Sequence, residues 1–329
     1  MSEKIDSLGA IEFESTGIIT AERAEGGEAV PHRQKGGGLL WMVGAALIWG
    51  TVGVSSALMN RIETTPPMMI AFLRLGFASP FLLGLTWITT RRNPFKLSGR
   101  EWFYYGMMGL AMAIYQVTYF FAIPMAGVTL VVVIALCSSP LMVALISIPV
   151  FKEKLTRRTV LALALGITGT VLLAFGGKGG SSGQSQVVLG AVLALATGLA
   201  YSGLVVFSKL SVRDAKVDRG PAQPVAVAFT LAAIILLVVS ITTGSFKVDM
   251  AVGVWLIGAY LGLVPTGLAY VIFFKGMARA SATAAAIITM LEPAVAAILA
   301  WLLLQEQLTP VSLVGSALLL ASVLVLSKK

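Results

Sequence analysis

One carboxylate of this sequence lies where a charge is costly. Glu292 belongs to the segment ITMLEPAVAAILAW (288–301), within a long apolar stretch. Arg74, in AFLRLGFASP (71–80), is a second charge placed in this way. Ionisable side chains inside apolar spans are rare, and they usually have a partner or a function. The pair is therefore the first candidate for a functional site.

Three interpretations of these two charges are open from the sequence. Glu292 could carry a proton as a transport cavity changes sides. Glu292 and Arg74 could instead bind the ammonium and carboxylate groups of a zwitterionic amino acid. The structural alternative is that they pair with each other, or that Arg74 binds backbone carbonyls, and that they only stabilise the fold.

Aromatic and polar side chains form a second group of candidates. Tyr115, Gln116 and Tyr119 are spaced so that the two tyrosines share one face of a helix. Solute sites commonly combine aromatic rings with a few polar groups, although aromatic residues in spans also serve packing or anchoring. The remaining candidates of this group are Trp49, Ser138, Ser139, Tyr201 and Tyr270.

Prolines interrupt the apolar stretches at related positions. Pro293 directly follows the candidate glutamate, and Pro140 corresponds to it in the first half of the chain. A proline cannot donate a backbone hydrogen bond, so each frees a carbonyl group near the middle of a span. We predict helix breaks here that serve as a hinge or site wall, or as a packing kink. Pro265 is a third break, beside Gly258 and Gly262, whose spacing favours close helix packing.

The composition argues against several classes of function. Of the 329 residues, 57% are hydrophobic and 12% are charged, whereas a soluble domain carries about a quarter charged residues. The single histidine is His32 and the single cysteine is Cys137, so no histidine-based metal centre or catalytic triad is expected. No G-x-x-x-x-G-K-[ST] motif for nucleotide binding occurs. We predict no cofactor, no metal and no enzymatic activity.

The elements that must position the candidates are membrane helices. Ten apolar runs follow a polar N-terminal tail, 1–37, which we predict to be disordered. Each run is long enough to cross a hydrocarbon core of about 30 Å, and Glu292 and Arg74 fall at nearly the same depth. The predicted fold is all-α, with spans at roughly 38–59, 66–89, 101–123, 126–150, 158–176, 187–208, 222–243, 251–274, 281–304 and 308–327.

The distribution of positive charge predicts the orientation of these spans. The net charge of +9 is compatible with a nucleic-acid partner. With a cytoplasmic N-terminus, however, cytoplasmic segments hold 20 of the 24 Lys and Arg residues, and outside loops hold three. Positive charge accumulates on the cytoplasmic side of membrane proteins. We therefore predict a multi-pass plasma (inner) membrane protein with both termini in the cytoplasm and no nucleic-acid partner.

The two halves of the chain repeat each other. PLMVALISIPVFKEKLT (140–156) and PAVAAILAWLLLQEQLT (293–309) share proline, glutamate, leucine and threonine at a constant offset of 153 residues. Five spans per half is an odd number, so the second half, 187–327, must lie inverted relative to the first, 38–176. Inverted repeats are typical of transporters that bind solute at the midplane. Duplication could also serve symmetry and stability alone.

From about residue 38 to its end, the chain resembles the drug/metabolite transporter superfamily, in particular the ten-span EamA-type exporters. The resemblance implies efflux of a small solute, since the family exports amino acids, other metabolites and drugs. The Arg of the second span is common in that family irrespective of substrate, which favours an architectural role for Arg74. The matching segments are LIWGTVGV (47–54), AFLRLGFASP (71–80), SSPLMVALISIPVFKEKLTRRTVLALALGITGTVLLAF (138–175) and LVPTGLAYVIFFKGMARASATAAAIITMLEPAVAAILAWLLLQEQLT (263–309).

The leading prediction is an exporter of amino acids or related small metabolites that works by alternating access, with proton coupling through Glu292 left open. A multidrug or cationic-drug exporter, with Glu292 as counter-ion, is the second transport hypothesis. A membrane scaffold without transport is the alternative from another class. The expected partners are a small-molecule solute and the lipid bilayer, and a homodimer is an open alternative.

Overall fold

The structure, a computed structural model, describes residues 37–175, 184–214, 220–304 and 309–327. The predicted tail therefore lies, except for residue 37, outside the described residues, and so does the repeat glutamate Glu306. Throughout the described ranges the regular elements are helices, and no strand occurs among them. The prediction of an all-α chain is confirmed in that part.

Six helices form the first half of the described chain. They are α1 (Gly37–Trp49), α2 (Thr51–Ile62), α3 (Pro67–Thr90), α4 (Gly99–Ala126), α5 (Val128–Phe151) and α6 (Arg157–Phe175). The sequence predicts a junction between the third and fourth spans, at 123–126. In the structure the single residue Gly127 separates α4 from α5. Its φ of +80° is in the region that favours glycine.

Within its described residues, the second half contains seven α-helices and one π-helical segment. They are α7 (Gln184–Arg213), α8 (Ala222–Thr242), α9 (Val252–Leu261), the π-helical segment Gly262–Leu268, α10 (Ala269–Met277), α11 (Ala282–Thr289), α12 (Glu292–Leu304) and α13 (Pro310–Ser327). Helix α7 extends beyond its predicted span at both ends.

Eight helical stretches within the described residues are long and apolar enough to cross a membrane. Helices α6 and α13 occupy the positions of the predicted fifth and tenth spans, and the count of ten stays a prediction. The eight stretches are Gly38–Ile62, Pro67–Thr90, Gly99–Ala126, Leu130–Phe151, Gln186–Arg213, Ala222–Thr242, Val252–Met277 and Ala282–Leu303.

Two of the three predicted proline breaks coincide with a change in helix geometry. Pro265 lies in the π-helical segment, and Pro293 lies in the first turn of α12, directly after α11 has ended. A proline ring clashes with the carbonyl one turn earlier, and α11 ends at Thr289, four residues before Pro293. Pro140 behaves differently, because α5 runs through it as one helix.

The helices of the two halves pack in reciprocal pairs. The contact of α4 with α7 corresponds to that of α10 with α1. The contact of α4 with α8 corresponds to the contacts of α9 and the π-helical segment with α3. Helix α5 packs on α7, as α11 and α12 pack on α1 and α2. Two further pairs, α3 with α8 and α6 with α13, join equivalent positions of the halves.

Glycines permit the close approach between α3 and the eighth predicted span. A Cβ atom at Gly258 would lie 3.0 Å from the Leu73 side chain. A Cβ atom at Gly262 would collide with Cβ of Phe77 and lie 3.0 Å from the carbonyl oxygen of Arg74. The packing role predicted for this glycine pair is thus visible in the structure, and it brings the π-helical segment against the helix that carries Arg74.

Candidate functional site

A cavity of about 300 Å³ collects candidates from both halves of the chain. Helices α1 to α5 contribute one part of its wall, and α7, α10, α11 and α12 contribute the other. The lining residues are Trp49, Gly53, Arg74, Tyr115, Tyr119, Val132, Ala135, Leu136, Ser139, Tyr201, Tyr270, Thr289, Glu292, Pro293 and Ala296.

Glu292 reaches the cavity because the helix break places it at the start of α12. It is the first residue of that helix and is half-buried. The N-terminal N–H groups of a helix lack partners within the helix, and the helix dipole favours negative charge there. The break at Pro293 therefore creates a position where a carboxylate is tolerated inside an apolar span.

Arg74 enters the same cavity from the middle of α3. Its Nε donates a hydrogen bond to the hydroxyl oxygen of Thr266, at 3.4 Å. Within the described part of the chain, no ion pair within 4.0 Å joins Arg74 to Glu292. The direct pairing considered as a structural alternative is thus not formed, and both charged groups face the cavity.

Five aromatic residues line the cavity. The rings of Tyr115 and Tyr119 stack at 6.1 Å with an interplanar angle of 13°, and the ring of Tyr201 lies 5.8 Å from that of Tyr115. Trp49 and Tyr270 form a second group, with ring centroids 4.8 Å apart. The indole nitrogen of Trp49 donates to the carbonyl oxygen of Pro265 at 2.7 Å, which fixes the ring. Pro265 itself does not line the cavity.

Two other predicted site residues, and Pro140, lie off the cavity wall. Gln116 is buried on α4, and among the described residues its side-chain nitrogen has no hydrogen-bond partner. Ser138 donates weakly to the carbonyl of Ala135, at 3.4 Å, whereas the next residue, Ser139, lines the cavity. One residue turns a helix by about 100°, so a neighbouring position faces a different environment.

Sequence reasoning missed several lining residues. Thr289 precedes Glu292 by three positions, and residues at this spacing share a helix face, so this signal was available. Gly53, Val132, Ala135, Leu136 and Ala296 are small or apolar and gave no chemical signal.

A metal site is not found in the part of the chain that the structure describes. No group of three or more His, Cys, Asp or Glu side chains there is arranged to hold a metal ion. The side chains that line the cavity supply two opposite charges, five aromatic rings and the hydroxyl groups of Ser139, Thr289 and four tyrosines.

The EamA-like transporter family matches the chain twice, at residues 36–175 and at residues 188–328. The chain belongs to this family, and the resemblance stated from its sequence is confirmed. It is accordingly a membrane transporter.

Similar proteins carry names of the same kind. Uncharacterized transporter YwfM of Bacillus subtilis (strain 168) is 28% identical over 295 residues, which cover 88% of this chain and 93% of that protein. Uncharacterized transporter YxxF of the same organism is 26% identical over 275 residues, covering 82% and 83% of the two chains. A solved crystal structure matches with a TM-score of 0.73 over 89% of this chain and 96% of the other. Its sequence identity of 20% makes this a likeness of fold alone.

Proposed function

We propose that this protein exports amino acids or closely related zwitterionic metabolites across the plasma membrane by alternating access. The observation that carries the proposal is the placement of Glu292 and Arg74 on one cavity without a direct ion pair between them. The carboxylate of Glu292 would bind the ammonium group of the solute, and the guanidinium of Arg74 would bind its carboxylate. Charge-assisted hydrogen bonds of this kind are stronger than neutral ones.

The remaining wall suits the carbon skeleton of such a solute. Aromatic rings and small apolar side chains provide a largely apolar surface beside the two charges. The volume of about 300 Å³ is at the lower end of the range for small-molecule sites. An amino acid matches this size better than a drug with several rings.

Alternating access is supported by the reciprocal helix pairs. Three sets of packing contacts between the halves, those of α4 with α7, of α4 with α8 and of α5 with α7, have counterparts with the halves exchanged. Two halves of five spans each, with the second inverted, would produce this pattern. The cavity lies between the halves, where inverted-repeat transporters bind their solutes.

The proposed membrane orientation depends on charge. The 20 Lys and Arg residues of the predicted cytoplasmic segments outweigh the three in the outside loops. Within the proposal Glu292 has one of two roles, as a direct ligand of the solute or as a carrier of a coupled proton. The oligomeric state stays a prediction.

A cationic-drug exporter is the second candidate, and the aromatic lining favours it. Cations bind over aromatic faces, and a nearby carboxylate would add attraction. Arg74 opposes this candidate, because its positive charge lines the same cavity. A scaffold without transport predicts that Glu292 and Arg74 can be replaced together by apolar residues without loss of function.

Export from cells preloaded with amino-acid dipeptides tests the proposal. Cells without the protein, with the wild type and with Glu292→Gln would be compared for each released amino acid. Asp249→Asn is the matched control, because it removes the same charge at an exposed position outside the helices. We expect wild type and Asp249→Asn to release a particular amino acid, and Glu292→Gln to release it at the background rate.

Other outcomes separate the alternatives. Equal export by Glu292→Gln and wild type would remove Glu292 from both binding and coupling. Absence of any amino-acid export by a well-folded wild type would contradict the proposed solute class, and resistance to cationic dyes would then support the second candidate. If Glu292→Gln retains part of the export, a pH gradient that changes the export rate of wild type but not that of the variant would assign proton coupling to this carboxylate.

A further inference from the structure

We propose that the π-helical segment Gly262–Leu268 positions the charged wall of the cavity, and that Thr266 is the positioning residue for Arg74. The inference rests on the proposed function, in which Arg74 binds the carboxylate of the solute. Thr266 is fully buried and does not line the cavity. It therefore acts through Arg74 and has no contact with the solute.

The orientation of the Thr266 hydroxyl follows from the proline beside it. In an α-helix the N–H of residue 265 would bond to the carbonyl of Leu261, but Pro265 has no N–H. The Leu261 carbonyl lacks this α-helical partner, and the Thr266 hydroxyl donates to it at 2.7 Å. Its proton is thus committed to the backbone, and its oxygen is left to act as an acceptor. This oxygen accepts a hydrogen bond from the Nε–H of Arg74.

The same segment holds a second cavity side chain. The carbonyl of Pro265 accepts the indole N–H of Trp49. Arg74 and Trp49 both belong to the first half of the chain, 192 and 216 residues away from their partners in the segment. Helix irregularities of the π type are frequent at functional sites. Here the irregularity presents two acceptors to two side chains of the cavity wall.

The approach of the segment to α3 is built into the packing. Glycine at position 262 avoids a collision with Phe77, and glycine at position 267 avoids one with Phe81, whose ring would lie 2.7 Å from an added Cβ atom. This contact brings the Thr266 hydroxyl within reach of the guanidinium. A fixed orientation of the Arg74 side chain relative to the cavity is the expected consequence.

Thr266→Val is the variant that tests the inference, because valine keeps the shape of threonine and lacks its hydroxyl. Thr266→Ser restores the hydroxyl. Thr170→Val is the matched control, since Thr170 is a buried threonine of α6 whose hydroxyl donates to the Gly166 carbonyl at 2.9 Å. Binding of L-leucine and of 3-methylbutylamine, which lacks the carboxylate, would be measured on the purified full chain.

We expect Thr266→Val to weaken L-leucine binding by about fivefold, as for loss of a modest hydrogen bond, because the distance of 3.4 Å is long. Binding of 3-methylbutylamine should change by less than about twofold, because it has no group for Arg74. Thr266→Ser and Thr170→Val should keep the wild-type ratio of the two affinities. Equal weakening of both ligands by Thr266→Val would overturn the positioning role, since a general loss of structure affects both.

A second measurement is independent of the solute. The Nε–H signal of Arg74 in protein labelled with ¹⁵N-arginine would be assigned by its disappearance in Arg74→Lys. We expect this signal to shift in Thr266→Val and to stay in place in Thr266→Ser and Thr170→Val. An unchanged signal in Thr266→Val would refute the inference. A shifted signal in a protein that binds no L-leucine would support the positioning role and count against the proposed solute.

Discussion

Replacing Glu153 should destabilise the start of α11, the helix that leads into the cavity break. The Glu153 carboxylate follows the end of α5 and accepts hydrogen bonds from the backbone N–H groups of Ala282 and Thr283, at 2.9 and 3.4 Å. It also accepts the Thr283 hydroxyl at 2.9 Å. The first N–H groups of a helix have no partner within it, and the Ser281 hydroxyl satisfies only that of Ala284. Glu153 thus completes the cap from the loop that follows α5.

The magnitude follows from the number and exposure of these contacts. A hydrogen bond to a charged group contributes about 1.5–3 kcal/mol, and an anion at a helix N-terminus about 0.3–1 kcal/mol. The Nζ of Lys209 lies 3.5 Å from the carboxylate, and the two side chains are 22% and 16% exposed, so the ion pair is partly screened. Contacts that share one carboxylate are not additive. We expect Glu153→Ala to lower the free energy of unfolding by about 2–3 kcal/mol and Glu153→Gln by about 1 kcal/mol.

Thermal unfolding of the purified chain in detergent is the assay. About 2–4 °C per kcal/mol is usual for chains of 150–250 residues, so Glu153→Ala should lower Tm by roughly 4–12 °C. Glu63→Ala is the matched control, because the Glu63 carboxylate accepts one exposed backbone N–H, that of Ala251, at 3.0 Å. Its Tm should fall by less than about 2 °C. If Glu153→Ala melts no lower than Glu63→Ala, the carboxylate does not stabilise α11 and the reasoning fails.

Three further predictions concern packing, acid stability and a buried amide. Gly262→Ala should lower Tm, because overpacking against Phe77 costs about 1–3 kcal/mol, whereas Gly106→Ala, with no neighbouring atom within 4 Å, should not; equal Tm values would contradict the collision. Hydrogen bonds from Arg213 and Tyr104 lower the pKa of Asp214 below its usual range, so its stabilisation is complete above about pH 4 and is lost as pH falls through the lowered pKa. The Tm difference between wild type and Asp214→Asn should therefore be present at neutral pH and vanish in acid, and a difference that grows in acid would reverse the sign. Gln116→Met should retain export and keep or raise Tm, since it removes a buried amide nitrogen that has no hydrogen-bond partner among the described residues. Loss of export without unfolding would return Gln116 to the site.

The sequence by itself determined the class of the protein. Span length, apolar composition and the placement of positive charge are local properties, and they suffice for a helical membrane protein. The repeat and the family motifs then indicated a transporter, which family membership confirms. The isolated charges Glu292 and Arg74 were visible for the same reason, because a charge in an apolar run needs no structure to be noticed.

Tertiary structure alone decided which candidates meet and what holds them. Helix faces are set by packing, so only the structure separates Ser139 on the cavity wall from Ser138 beside it. The partners of Arg74 and Glu153 are 192 and 129–130 residues distant in sequence, and no local pattern encodes such contacts. The Thr266 hydroxyl of the π-helical segment accepts a hydrogen bond from Arg74, which belongs to the other half of the chain. Contacts of this kind arise when helices from the two halves pack together. The sequence therefore predicts which side chains are candidates, but not how these side chains are arranged around the cavity.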